Sequence, residues 1–273
     1  MKIKHLLILF SAALLWTACS ETSPEKIVKK TKNEKTPEEK GEADDGRGGE
    51  YADYMAIVDA DDSWYIGNTM YYTKNPDVSQ ETYQVYLLLD SASNVVRIEE
   101  RYTRENGGSV LGNFHYYKDG IRIASKEIYN EGQGESELFY ERVSYYEDEK
   151  PIISKIRSNK YEEYLENEVY EIITPVACPT DKAERAIARE GEFQTNFLGV
   201  IKSGGLNYIE VGEGDPNGFS TTLLVQQITP LVGDMISNPS EYKGKPVSVD
   251  FREMPDGQGF TFQALLAIAM VVD

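Results

Sequence analysis

The sequence is poor in the residues that usually carry chemistry. Its 273 residues include two cysteines, two histidines and two tryptophans. Two cysteines exclude a disulfide framework and a four-ligand zinc site. Positive charge is short as well: 28 Lys and Arg stand against 46 Asp and Glu, for a formal net charge of −18. Such a chain has no electrostatic footprint for nucleic acid or for an anionic lipid surface. Nowhere does the sequence reach the roughly 20 consecutive apolar residues of a membrane-spanning helix. It also lacks G-x-S-x-G, G-x-x-x-x-G-K-S/T and H-E-x-x-H, so no hydrolase elbow, phosphate loop or zincin helix is expected. No cofactor and no metal site is expected.

What is present begins at the N-terminus. Lys2 and Lys4 precede an apolar run from Leu6 to Trp16, then Thr17-Ala18-Cys19. The run has the length of a signal-peptide core. With Ala18 before Cys19 the segment resembles the lipobox of bacterial lipoproteins, although Trp16 stands where Leu is usual. That resemblance implies cleavage after residue 18 and acylation of Cys19, which anchors the chain to a membrane. Ser20, rather than Asp, follows the cysteine; by the same resemblance this favours the outer membrane of a bacterial envelope. An ordinary secretory signal is the alternative. Two or three acyl chains would make release very slow.

Residues 19–50 are expected to be a disordered, charged tether. Positions 20–50 have no aromatic residue and only Ile27 and Val28 as large aliphatics, too little apolar surface to offset the entropy of ordering. From Tyr51 the composition changes. Seventeen of the 19 tyrosines fall between Tyr51 and Tyr170. Residues 51–180 read as a Tyr-rich antiparallel β-meander. Thr82–Leu89 and Val95–Thr103 are strand-like, and in the second Val96, Ile98 and Tyr102 alternate with Arg97, Glu99 and Arg101. Lys118-Asp119-Gly120 predicts a hairpin between Phe114–Tyr117 and Ile121–Ile128, because Asp-Gly accepts positive φ. A second hairpin is predicted around Glu147–Lys150. Residues 114–140 resemble the aromatic, Asn/Asp-Gly hairpin repeats of MORN-like bacterial proteins, with a third unit that lacks the glycine.

Residues 181–273 read as a short helix capped by Asp181, then five strands with a helix over Leu231–Ser237 between the third and fourth. That order, with the phrase from Asn238 to Phe251, resembles an OB-fold barrel. The overall expectation is a mainly β protein: a Tyr-rich meander domain, a short helix and a small OB-like five-stranded barrel. OB folds often bind nucleic acid in a basic groove, but residues 191–273 carry four basic and ten acidic residues, so a nucleic-acid partner is not expected.

Candidate sites are few. His115 and Cys178 are the histidine and thiol left beyond residue 19, and each reads more simply as a packed residue than as a catalytic one. Asp59-Ala60-Asp61-Asp62-Ser63 begins like a calcium loop, but Trp64 replaces the required glycine. The tyrosine pairs suggest an aromatic face for sugar or peptide made by Trp64, Tyr116, Tyr117, Tyr145 and Tyr146; the plainer reading is a sheet core with wet hydroxyls. The expected function is a non-catalytic binding or assembly module with a protein or glycan partner. A carboxylate-dependent hydrolase is the alternative, or a small-ligand carrier if the meander closes into a hollow barrel.

Overall fold

The computed structural model describes residues 47–74, 81–103, 111–132, 134–215, 217–255 and 261–271. The segment expected to be a signal, Cys19 and the expected tether up to residue 46 lie outside the described residues. The fold is mainly β. Helix α1 (Arg47–Ala60) comes first, followed by β1 (Tyr65–Asn68), β2 (Tyr72–Lys74), β3 (Thr82–Leu89) and β4 (Val95–Thr103). The meander continues through β5 (Leu111–Lys118), β6 (Ile121–Glu131), β7 (Leu138–Glu147), β8 (Lys150–Asn159) and β9 (Glu171–Ile173). After α2 (Asp181–Ala188) come β10 (Asn196–Ser203), β11 (Leu206–Gly212) and β12 (Phe219–Val225), then α3 (Pro230–Ser237), β13 (Val247–Pro255) and β14 (Thr261–Met270).

The predicted hairpins form where turn chemistry demands them. Asp119 and Gly120 sit at φ 54° and 78°, the two positive values of a type I′ turn. Asp148 and Glu149 repeat this at 49° and 61° between β7 and β8 without a glycine. Each non-glycine residue there costs about 1–2 kcal/mol, which the long β7–β8 ladder offsets.

The fourteen strands of the described residues belong to one sheet, in the order β10-β11-β12-β2-β3-β4-β5-β6-β7-β8-β9, with β1 joined to β3, β14 to β12 and β13 to β14. Strand β2 pairs with both β3 and β12, so the sheet runs unbroken across residue 180. The described residues form one compact unit. One core draws on both sides of that point: Tyr72 and Tyr83 from the meander pack with Phe193 and Phe219, and the Tyr83 and Phe193 rings stack at 5.0 Å. A second core lies between α1 and the meander.

Three expectations are corrected. First, α1 begins at Arg47, so the last residues assigned to the tether are helical. Tyr51, Tyr54, Met55 and Val58 fall at helical spacing, and all four belong to the core under α1, whose packing supplies what the polar start lacks. Second, the residue at the N-cap position of α2 is Thr180, not Asp181, and its side chain makes no capping bond to the backbone; its hydroxyl donates to Glu184 at 2.6 Å instead. Third, the C-terminal five strands do not close into a barrel. Their outer strands β10 and β13 meet only beside the isolated bridge Asn196–Pro246. Backbone bonds flank it, from Phe197 N to Lys245 O at 2.9 Å and from Val247 N to Thr195 O at 2.8 Å. Pro246 has no N–H to extend that ladder. The meander is also an open sheet among the described residues, without the barrel closure that a hollow ligand carrier needs.

Candidate functional site: a cleft beside helix α1

The C-terminal end of α1 builds the site. A helix end leaves carbonyls without intrahelical partners. Here the Trp64 indole N–H donates to Val58 O at 3.1 Å, which fixes the ring against the helix end. The Asp61 carboxylate accepts the Ser63 N–H at 2.8 Å. This tight turn brings Trp64 back over the sheet, where β3 and β4 supply the floor. Asp59 closes the other side. A carboxylate at a helix C-terminus opposes the helix dipole, but Asp59 is held by Arg97 at 2.5 Å and Lys126 at 2.9 Å, and it accepts the Tyr116 hydroxyl at 2.9 Å.

Period-two alternation places Arg97, Glu99 and Arg101 on this face of β4. Glu99 is buried between the two guanidiniums, at 2.9 Å from Arg97 and 2.5 Å from Arg101. Arg101 lies 4.8 Å above the Tyr86 ring. The result is a cleft of about 270 Å³ whose walls include Trp64, Tyr86, Asp61, Asp62, Arg97 and Arg101. Burial works to raise Asp59, but Lys126, Tyr116 and Arg97 outweigh it and hold the carboxyl below its ordinary 3.8. Asp61 is also held low, by its hydrogen bonds to Ser63.

The five expected aromatic residues do not gather on one surface. Trp64 lines the cleft. Tyr116 and Tyr145 are buried under α1, while Tyr117 and Tyr146 face the opposite side of the sheet. Neighbours on a strand point to opposite faces, and both faces are covered here, so the expected exposed tyrosine face is absent from these four residues. Burial pushes the Tyr117 hydroxyl up to about 12.

Residues 174–180 cover the opposite face as an extended strap. Its backbone is hydrogen-bonded by side chains of the sheet. Ser144 donates to Val176 O at 2.8 Å, and Val176 N donates to Ser154 Oγ at 2.8 Å. Cys178 N donates to the Tyr146 hydroxyl at 2.7 Å, and Arg122 donates to Cys178 O at 2.8 Å. The Cys178 thiol is pushed up by burial and by Glu127 and Glu100 nearby, which disfavours the thiolate a nucleophile needs. His115 is fully buried, with Nε2 at 2.9 Å from Glu100 Oε1. Tyr83 donates to the other oxygen of Glu100 at 2.5 Å. This cluster sits inside the protein and reads as structure.

Tyr86, Arg97, Glu99 and Arg101 are the cleft residues that sequence reasoning did not single out as a site, whereas Asp59, Asp61 and Asp62 belong to the run that begins like a calcium loop. The signal was available in part, since Arg97, Glu99 and Arg101 share one strand parity. What hid it was α1, which turns that parity from a solvent face into a covered one. Among the described residues, no helix is long and apolar enough to cross a membrane, and no group of three or more His, Cys, Asp or Glu is placed to hold a metal ion. No protein-family model, curated protein or solved structure matches this chain.

Proposed function

We propose that this protein is a lipid-anchored module of the bacterial envelope, held at the outer membrane by Cys19, that binds one sugar unit of a glycan in the Trp64 cleft without catalysis. A pyranose has an apolar C–H face and a rim of hydroxyls. The cleft offers a fixed indole ring for the first, and carboxylate acceptors and guanidinium donors for the second. That pairing of Trp64 with Asp61, Asp62 and Arg101 is the observation that carries the reading. The volume of about 270 Å³ lies just below the range of drug-sized pockets, which suits a single ring. The strand order of the C-terminal part, bridged at Asn196–Pro246, supports an OB-like reading of that region, which leaves the activity open.

The cleft is poorly suited to glycoside hydrolysis. That reaction needs one carboxyl kept protonated by a raised pKa. Asp59 and Asp61 are shifted the other way, and Glu99 is clamped between two arginines.

With Trp16 removed in the signal, Trp64 is the single tryptophan of the mature chain, so its fluorescence reports on the cleft. Neutral, amino and acidic pyranoses should be titrated against the lipidated protein in detergent. A twelve-atom sugar at about −0.3 kcal/mol per atom gives a millimolar Kd. Arg101→Ala should weaken binding roughly tenfold, the loss of one charged hydrogen bond, measured well below the variant's own thermal midpoint, because the change also takes one guanidinium from the buried Glu99. No response to any sugar, or a response untouched by Arg101→Ala, would reject the reading. Release of reducing sugar from oligosaccharides would restore the hydrolase.

A further inference from the structure

We propose that the outer edge of β9, with residues 161–173 around it, docks a basic extended polypeptide that joins the sheet as a further strand. Strand β9 is the last in its direction of the sheet and pairs only with β8, over Ser154–Ile173, Lys155–Ile172 and Ile156–Glu171. In an antiparallel strand alternate residues aim their N–H and C=O groups away from the partner. Among the described residues, nothing hydrogen-bonds to that outer side of β9. The edge of β10 is treated differently: it meets Lys245–Val247 at its start and carries Lys202 further on. Such bridging and lysines are common ways to blunt an edge.

The flanking side chains state the chemistry of the guest. Tyr161, Tyr164, Val169 and Ile172 are exposed, Val169 to 87%. Between residues 161 and 173 there are five glutamates and no Lys or Arg. Glu168 accepts from Asn159; Glu162, Glu163, Glu166 and Glu171 have no cationic partner among the described residues. Glu162, Glu163 and Glu166 line a separate cleft of about 460 Å³ with Ile128 of β6 and Glu141 of β7, over the sheet face; the carboxylates beside the edge itself are Glu168 and Glu171, and Lys155, opposite Ile172, lies over the Tyr170 ring at 4.5 Å. A second copy of this chain would set Glu168 and Glu171 against their own copies, which disfavours self-pairing. A strand that alternates Lys or Arg with aliphatic residues satisfies both features: backbone groups add to β9, and its two sets of side chains meet the glutamates and the apolar residues.

The contact is short, so its affinity rests on charge and is sensitive to salt. The test uses the full chain and a nine-residue peptide of alternating lysine and valine, followed by calorimetry and amide hydrogen exchange. Binding is expected, with new protection centred on Glu171–Ile173. Raising salt from about 0.05 to 0.5 M should weaken binding on the order of tenfold. The exposed double variant Glu168→Lys with Glu171→Lys should weaken it at least as much. A glutamate–valine peptide should not bind. Four outcomes would overturn the proposal: no binding of the lysine peptide, equal binding of the glutamate peptide, protection elsewhere, or indifference to the double variant. Concentration-dependent dimers protected at the same edge without peptide would assign it instead to a second copy.

Discussion

Two adjacent rows of residues cross the meander, one residue apart in sequence and on opposite faces. Tyr116, Ala124, Tyr145 and Ile153 pair across β5 to β8 on the side of α1. His115, Ser125, Ser144 and Ser154 pair on the side of the strap. The first row holds two large aromatic rings, the second three small hydroxyls. The covers explain the difference. A helix satisfies its own backbone and presents side chains, so the sheet beneath it needs bulk and apolar area. An extended strap presents bare N–H and C=O groups, which are costly to bury without partners. Serines leave room for that backbone and supply its hydrogen bonds.

The largest test of this contrast is Tyr116→Ala. It empties a fully buried site under α1 and removes a hydrogen bond to Asp59, so a loss of about 3–5 kcal/mol is expected by denaturant unfolding. A loss under about 1 kcal/mol would show that α1 is not a true part of the core. Next comes Ser144→Val. It puts bulk beneath the strap and leaves Val176 O short of a donor, for an expected loss of about 1–3 kcal/mol. Hydrogen exchange should quicken at residues 174–178 and stay slow in α1. Equal loosening of both covers would break the comparison.

The smallest effect separates the faces by pH. Asp59 has a lowered pKa in the folded state, so the unfolded chain binds its proton more readily. Its contribution is therefore full above the unfolded value near 4 and is lost as pH falls through the folded value. Asp59 is about a third exposed, so screening limits the effect to about 1 kcal/mol or less. Exchange of α1 amides should quicken below about pH 4 relative to the strap, which is held by hydroxyls and by the Arg122 guanidinium, groups that do not titrate there. Asp59→Asn should abolish that difference; if it persists, other carboxylates control α1.

Much of the fold was legible because it is local. Alternating strands such as Val95–Thr103, the Asp119-Gly120 turn and the helix after Thr229 are dictated by residues within a few positions of one another. Helix α1 was masked by the charged, glycine-containing start at Arg47, although Tyr51, Tyr54, Met55 and Val58 carry helical spacing. The site was less legible. Trp64 stood out as a rare residue, but its neighbours Tyr86, Arg97 and Arg101 come from β3 and β4, and no spacing in the sequence joins them to it.

The sequence by itself determined the β-rich class, the hairpins and the order of C-terminal strands and helix, because side-chain period and turn chemistry are short-range properties. It also set the acidic charge and the lipobox-like start. Tertiary structure decided which tyrosines are covered, since both faces of the meander receive a lid from distant segments. It also decided that β2 would join two regions into one sheet, and that β10 and β13 would stop at one bridge instead of closing. Those outcomes depend on pairings between residues far apart in the chain, where the sequence states what each residue can bury but not what will lie on top of it.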